Sequence, residues 1–174
     1  GETENKLYRL TQADYEHRYF VDGQLTAGDA FIGGQWKTFL LGGLGAGGRS
    51  VYAVDITDES FTPADVKWEF THPDLGRTFG KPLIARFGNN QWYAVFANGP
   101  DAAHDEASVF VVNLTNPADY HELRTYTGSA ASPNGAMAVQ IRYNAERTAT
   151  ATEATAKNTK RLLDASVDNG LRFA

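Results

Sequence analysis

Gly34-Gln35-Trp36-Lys37-Thr38-Phe39-Leu40-Leu41-Gly42-Gly43 leads through a glycine-rich stretch into Ser50-Val51-Tyr52-Ala53-Val54-Asp55-Ile56-Thr57. The pattern returns as Asn90-Gln91-Trp92-Tyr93-Ala94-Val95-Phe96-Ala97-Asn98-Gly99, followed by Ser108-Val109-Phe110-Val111-Val112-Asn113-Leu114-Thr115. Trp recurs after 56 residues (36 to 92) and Ser-Val-aromatic after 58 (50 to 108), a unit of about 57. Self-similarity at that period points to a propeller or a related array. Each copy holds four β-rich runs bounded by turn residues: 28–32, 35–41, 50–56 and 66–70, then 82–87, 91–97, 108–114 and 121–127. Four strands per repeat is the content of a propeller blade. Along the second run Trp36, Thr38 and Leu40 share one face and Lys37, Phe39 and Leu41 the other. Apolar groups on both faces suit a sheet packed between neighbours.

Outside these runs the chain carries two short helical signals and a distinct end. Thr62-Pro63-Ala64-Asp65 has a cap residue, a Pro at the first helical position and an acid at the third, and Thr11-Gln12-Ala13-Asp14 has the same outline without the Pro. Each predicts a single turn. Residues 144–160 are rich in Ala and Thr, and Leu162, Leu163, Val167, Leu171 and Phe173 follow at spacings of three to four. The expectation is an all-β chain of two four-stranded antiparallel propeller-like blades, with a partly helical or mobile tail. Propeller-like repeats fill 1–143 (unit 1 about 22–75, unit 2 about 76–130, a partial third strand at 137–143), and the tail fills 144–174.

Composition narrows the function. The 174 residues carry a formal net charge of −5 and no basic cluster, which opposes general nucleic-acid binding. The absence of Cys removes disulfide frameworks and Cys-ligated zinc. No apolar run approaches the length of a membrane span. The chain begins at Gly1, which processing or excision from a larger protein would explain.

Several motifs carry groups capable of chemistry. Gly43-x-Gly45-x-x-Gly48 matches the dinucleotide fingerprint by letter, but that site needs a strand running into a helix. Here β-like sequence follows, so residues 42–49 are read as a hairpin loop that needs positive φ or close backbone packing. Asp101, His104, Asp105 and Glu106 place four potential ligands within six residues. They lack the alternating oxygens and turn glycine of a hard-cation loop, so a solvated loop is expected. His17, His72, His104 and His121 have no nucleophile signature beside them, and Ser50 sits in no Gly-x-Ser-x-Gly elbow. Trp36, Trp68 and Trp92 could stack on sugars. The shared repeat position of Trp36 and Trp92 favours core packing instead. Asp55-Ile56-Thr57 and Asn113-Leu114-Thr115 end equivalent strands, where Asp or Asn accepts turn amide hydrogens. No catalytic, cofactor-binding or metal residue is assigned.

His17-Arg18-Tyr19-Phe20-Val21-Asp22-Gly23, then Gly34-Gln35-Trp36-Lys37-Thr38, then the stretch from Gly42 to Thr57 are joined in order by Trp68-Glu69-Phe70, Asp74-Leu75-Gly76, Thr78-Phe79-Gly80 and Pro82. Over about residues 15–115 this series resembles the C-terminal β-propeller of PilY1-type pilus proteins. The resemblance implies a seven-bladed, quinoprotein-like propeller at the cell surface, tied to type IV pilus extension, adhesion and twitching. The chain departs from the family after the second unit: no Asp-x-Asp-x-Asp calcium loop follows, and Pro133-Asn134-Gly135 leads to the Ala/Thr tail. The expected role is a non-catalytic structural or interaction protein of a bacterial surface filament, without cofactor. Its expected partners are other copies of itself or pilus components, with a host or surface ligand as a further candidate. The alternatives are a quinoprotein-like enzyme fragment using pyrroloquinoline quinone and calcium, and a carbohydrate- or protein-binding module. Two blades cannot close a ring, so assembly with other chains, through an exposed sheet edge and the tail, is expected.

Overall fold

The computed structural model describes residues 4–88, 90–126 and 128–141. Eight strands form two antiparallel sheets, each a simple meander. The first is β1 (Leu25–Ile32), β2 (Gln35–Gly43), β3 (Ser50–Asp55) and β4 (Val66–Thr71); the second is β5 (Leu83–Arg86), β6 (Trp92–Ala97), β7 (Ser108–Asn113) and β8 (Tyr120–Arg124). Both expected blades are present. Meanders follow because each connection is short and rich in turn formers. Gly33 and Gly34 take φ of 63° and 81° between β1 and β2, the two positive values a tight twisted hairpin requires. Between β3 and β4, Pro63–Asp65 makes the expected 3-10 turn, and the Asp65 carboxylate accepts from the Thr62 N–H and hydroxyl at 2.7 and 2.8 Å.

The two sheets pack face to face over one aromatic core. Phe39, Leu41, Ala53, Trp68 and Phe70 of the first meet Ala94, Phe96, Phe110 and Val112 of the second. Phe96 and Phe110 stack at 5.8 Å, and Phe70 sets its ring against both. The Trp68 indole crosses between sheets to donate to the Leu114 carbonyl at 2.9 Å. The far face of the second sheet, Ala85, Tyr93, Val95, Val109 and Val111, is covered by Val139 and Ile141. Residues 137–141, the described part of the expected third-blade strand, join no ladder.

Register corrects one reading. Asp55 pairs with Phe39, and its counterpart Asn113 pairs with Tyr93. The second strands are therefore offset by 54 (39 to 93) and the third strands by 58 (55 to 113). Ile56 N–H donates to Thr38 O just as Leu114 N–H donates to Trp92 O, so the counterpart of Trp92 is Thr38, not Trp36. The cause is turn length: two residues separate Ile32 from Gln35, whereas five separate Arg86 from Trp92. The slip is even, so each strand keeps its faces. Trp36, expected in the core, is 64% exposed, Trp92 is half-buried, and only Trp68 of the three is buried. At the start the expected single turn is present, closed by the Tyr15 N–H on Gln12 O at 3.2 Å, but Thr11 does not cap it: Thr11 ends a 3-10 helix, Glu4–Thr11, and its hydroxyl donates back to Tyr8 O. The expected tail, 144–174, lies outside the described residues.

Candidate functional site

Every β4-to-β5, β2-to-β3 and β6-to-β7 connection falls at one end of the sheets, and two buried polar side chains tie these loops together. The Thr78 hydroxyl accepts from Leu44 N–H at 2.8 Å and donates to Ser50 O at 2.9 Å. Asn98 accepts from the Ser108 and Ala136 amides and donates to Glu106 O. The glycine-rich stretch is the expected hairpin loop: β3 follows it directly, and Gly45 has a φ of 60°. A Cβ on Gly43 would strike Thr78 O and one on Gly47 would strike Phe20 O. The Asp22 carboxylate accepts the Ala46 N–H at 2.7 Å, inside the loop. Close packing, rather than a phosphate cradle, accounts for these glycines.

The four acidic and imidazole residues of the β6–β7 connection do not converge. Asp101 takes the Arg77 guanidinium at 2.9 Å, Asp105 has a φ of 54° and accepts from Asn134 through its backbone, and the Glu106 carbonyl serves Asn98. Only His104 meets a buried partner, bonding Asp74 through Nδ1 while most of its ring stays exposed. Asp74, 4% exposed, collects residues far apart in sequence. His104 and Arg124 bond its two oxygens, His72 lies 3.9 Å away, and Arg124 also reaches Glu122 at 3.0 Å. Donor atoms of His72, Asp74 and Glu122 all lie within 4.8 Å of one another. The bond to Glu122 is the main reason the Arg124 guanidinium is raised above its ordinary value. Sequence reading missed this cluster, because its members sit on a turn, a loop and a strand that only the fold brings together.

At the opposite end Asp55 and Asn113 do the turn work expected of them. Asp55 accepts from the Thr57 N–H and hydroxyl at 3.2 and 2.5 Å, and Asn113 accepts from those of Thr115 at 2.9 Å each. Asp55 adds Lys37 at 3.1 Å and Lys67 at 3.7 Å. Burial pushes its carboxyl up, but bonds from the Thr57 hydroxyl and the Lys37 ammonium outweigh that and hold it at about 2. Trp36 leans on Phe31 at 5.5 Å and on Trp92 at 6.3 Å across the two sheets. Of the remaining candidates, Ser50 donates to Glu69 rather than to a histidine, and the His17 ring packs edge-on to Tyr19. His121 stands in β8 opposite Val111.

Two meander sheets over a shared aromatic face are what consecutive propeller blades look like, and the family model described as the PilY1 beta-propeller domain matches residues 2–156. The chain belongs to the PilY1 β-propeller family. It is 38% identical over 147 residues to the type IV pilus biogenesis factor PilY1 of Pseudomonas aeruginosa strain PAO1, covering 80% of the chain and 12% of that protein. A PilY1 homolog of Xylella fastidiosa is 37% identical over 139 residues, 78% of the chain and 9% of that protein. The crystal structure of the Pseudomonas aeruginosa PilY1 C-terminal domain superposes with a TM-score of 0.63 at 37% identity, covering 71% of the chain and 26% of that domain. The chain thus spans about a tenth of the curated relatives it matches. Similarity to PilY1 runs wider than the motifs between residues 15 and 115.

Proposed function

We propose that this chain supplies two adjacent blades of a PilY1-type propeller and acts as a non-catalytic structural and interaction element in type IV pilus biogenesis at the cell surface. The blades correspond to about 22–75 and 76–130. The observation that carries this reading is the asymmetry of the sheets within a family match. The inner faces share a closed core, whereas the far face of the first sheet leaves Leu25, Phe31 and Val66 about half exposed. A blade with one apolar face open is built to be covered by another, from the same chain, another copy or a pilus component. Adhesion would be a property of that larger assembly.

The test is a chimera. Residues 15–141 replace the matching segment of Pseudomonas aeruginosa PilY1 in cells lacking their own copy, and sheared surface pili and twitching are measured. Restored piliation and movement are expected. A secreted, protease-resistant chimera that leaves cells without pili overturns the reading.

A further inference from the structure

We propose that His72, Asp74, His104 and Glu122 form a binding site for a zinc-class transition-metal ion, with Arg124 as its built-in competitor. The donor set comes first. Two imidazoles and two carboxylates make an N2O2 group, which suits zinc and its neighbours, whereas calcium and magnesium take oxygens. Donor atoms of His72, Asp74 and Glu122 already lie within 4.8 Å of one another, and His104 Nδ1 is bonded to Asp74. Bonds of about 2.0–2.2 Å to a central ion put ligand atoms roughly 3.3–3.6 Å apart, so His72, Asp74 and Glu122 would draw together by up to about 1.5 Å, and His104, which reaches the group through Asp74, would supply the fourth ligand.

The ligands are held by backbone geometry, not by chance approach of surface side chains. His72-Pro73-Asp74-Leu75 is a turn closed by the Leu75 N–H on His72 O at 3.0 Å, with Pro where such a turn favours it. Within it the Asp74 N–H donates to His72 Nδ1 at 3.2 Å, which sets the orientation of the ring beside Asp74; an ion bound through Nδ1 takes over the lone pair that this bond uses. Phe110 and Tyr120 fix the imidazole from 5.3 and 5.6 Å. The Ala103 N–H bonds to Pro73 O at 3.2 Å and so delivers His104, while the β7–β8 ladder places Glu122 opposite Phe110. Ordering of this kind lowers the cost of binding.

Charge supplies the second argument. Asp74, Glu106 and Glu122 all act on Arg124, three negative charges on one positive. With neutral imidazoles the group carries a net −2, and a divalent ion cancels it. Arg124 occupies the cation position through its bonds to Asp74 and Glu122. Its side chain is 28% exposed on the edge strand β8, free to swing into water when the ion enters.

The site does not depend on the pilus reading. The experiment titrates the full chain with Zn2+ by calorimetry and with Co2+ by visible absorption, which reports tetrahedral nitrogen and oxygen ligation. Saturable one-to-one zinc binding is expected, weakened at least about tenfold by His104→Ala, whose ring is mostly exposed, and by Glu122→Gln. Arg124→Gln should tighten binding, an effect that a purely structural ion-pair cluster would not give. Absence of saturable zinc binding in both the wild type and a folded Arg124→Gln variant overturns the proposal. So does zinc affinity unchanged by His104→Ala and Glu122→Gln, or calcium binding in zinc's place that ignores His104→Ala.

Discussion

Truncating Phe70 to alanine removes the ring through which the first sheet grips the second. Its centroid lies 5.9 Å from Phe96, 5.6 Å from Phe110 and 5.2 Å from Tyr120, all three in the second sheet. Phe70 is 6% exposed, and Phe96 and Phe110 beside it are fully buried, so little collapse can fill the space. A buried Phe→Ala change costs about 3–5 kcal/mol, and three aromatic pairs at roughly 0.5–1.5 kcal/mol each put this one at the upper end. Against a total of roughly 7–15 kcal/mol for a unit of this size, that is a large fraction. Urea unfolding followed by tryptophan fluorescence should show one transition in the wild type. In Phe70→Ala its midpoint should fall with little change of slope, and the melting temperature should drop on the order of 10 °C. Two separate wild-type transitions, or a loss below about 1 kcal/mol, would refute the claim that both sheets fold as one unit.

Two further expectations concern Asp55 and the tryptophans. The Asp55 carboxyl sits at about 2 against an ordinary 3.8, so its contribution is complete above the ordinary value and is lost as pH falls from about 4 towards 2. The displacement corresponds to about 2 kcal/mol, and solvent screening at the lysines reduces it to about 1 kcal/mol. Asp55→Asn, which keeps the turn acceptor that Asn113 uses in the second sheet, should flatten the stability profile in that window; an unchanged slope by denaturant titration at each pH would contradict this. Trp68→Phe leaves the Leu114 carbonyl without its donor and should cost about 1–2 kcal/mol, whereas Trp36→Phe should stay within about 0.5 kcal/mol. Thermal melts of the two variants decide the point, and the reverse order would mean that Trp36 is buried in solution.

All eight strands were legible because alternation, turn residues and an internal repeat all agreed. The Asp55 and Asn113 turns were legible for a local reason: acceptor and donor lie two residues apart. Trp36 was misplaced because letters were matched where hydrogen bonds decide; a two-residue and a five-residue hairpin look alike in sequence once Trp is aligned. Thr11 was misread because a Thr that closes a helical turn through its own hydroxyl resembles one that opens it. The Asp74 cluster was illegible in principle. Asp74 meets His104 across 30 residues and Arg124 across 50, and only the stitching of the loops and the register of β8 close those gaps. Within the 101–106 stretch the four potential ligands do not form one site, in keeping with the expected loop, and what sequence could not show is that Asp101 takes Arg77 and His104 takes Asp74.

The uneven offset between the repeats also governs where they can be recombined. A hybrid joined at the matching Trp letters, Gln35 running into Trp92, would keep the tight glycine turn. Its ladder between second and third strands would stay whole, because Trp92 and Leu114 come from the same repeat, but the third strand would end two residues nearer the glycine turn along β1 than β3 does. A crossover inside the third strand, Ser50 for Ser108 through Asp55 for Asn113, meets a constant offset and leaves both ladders whole. Blade shuffling, in a genome or at the bench, therefore preserves the strand stagger when it crosses in the third strand and shifts it when it crosses at the Trp letters, although the second strand carries the more conspicuous sequence match.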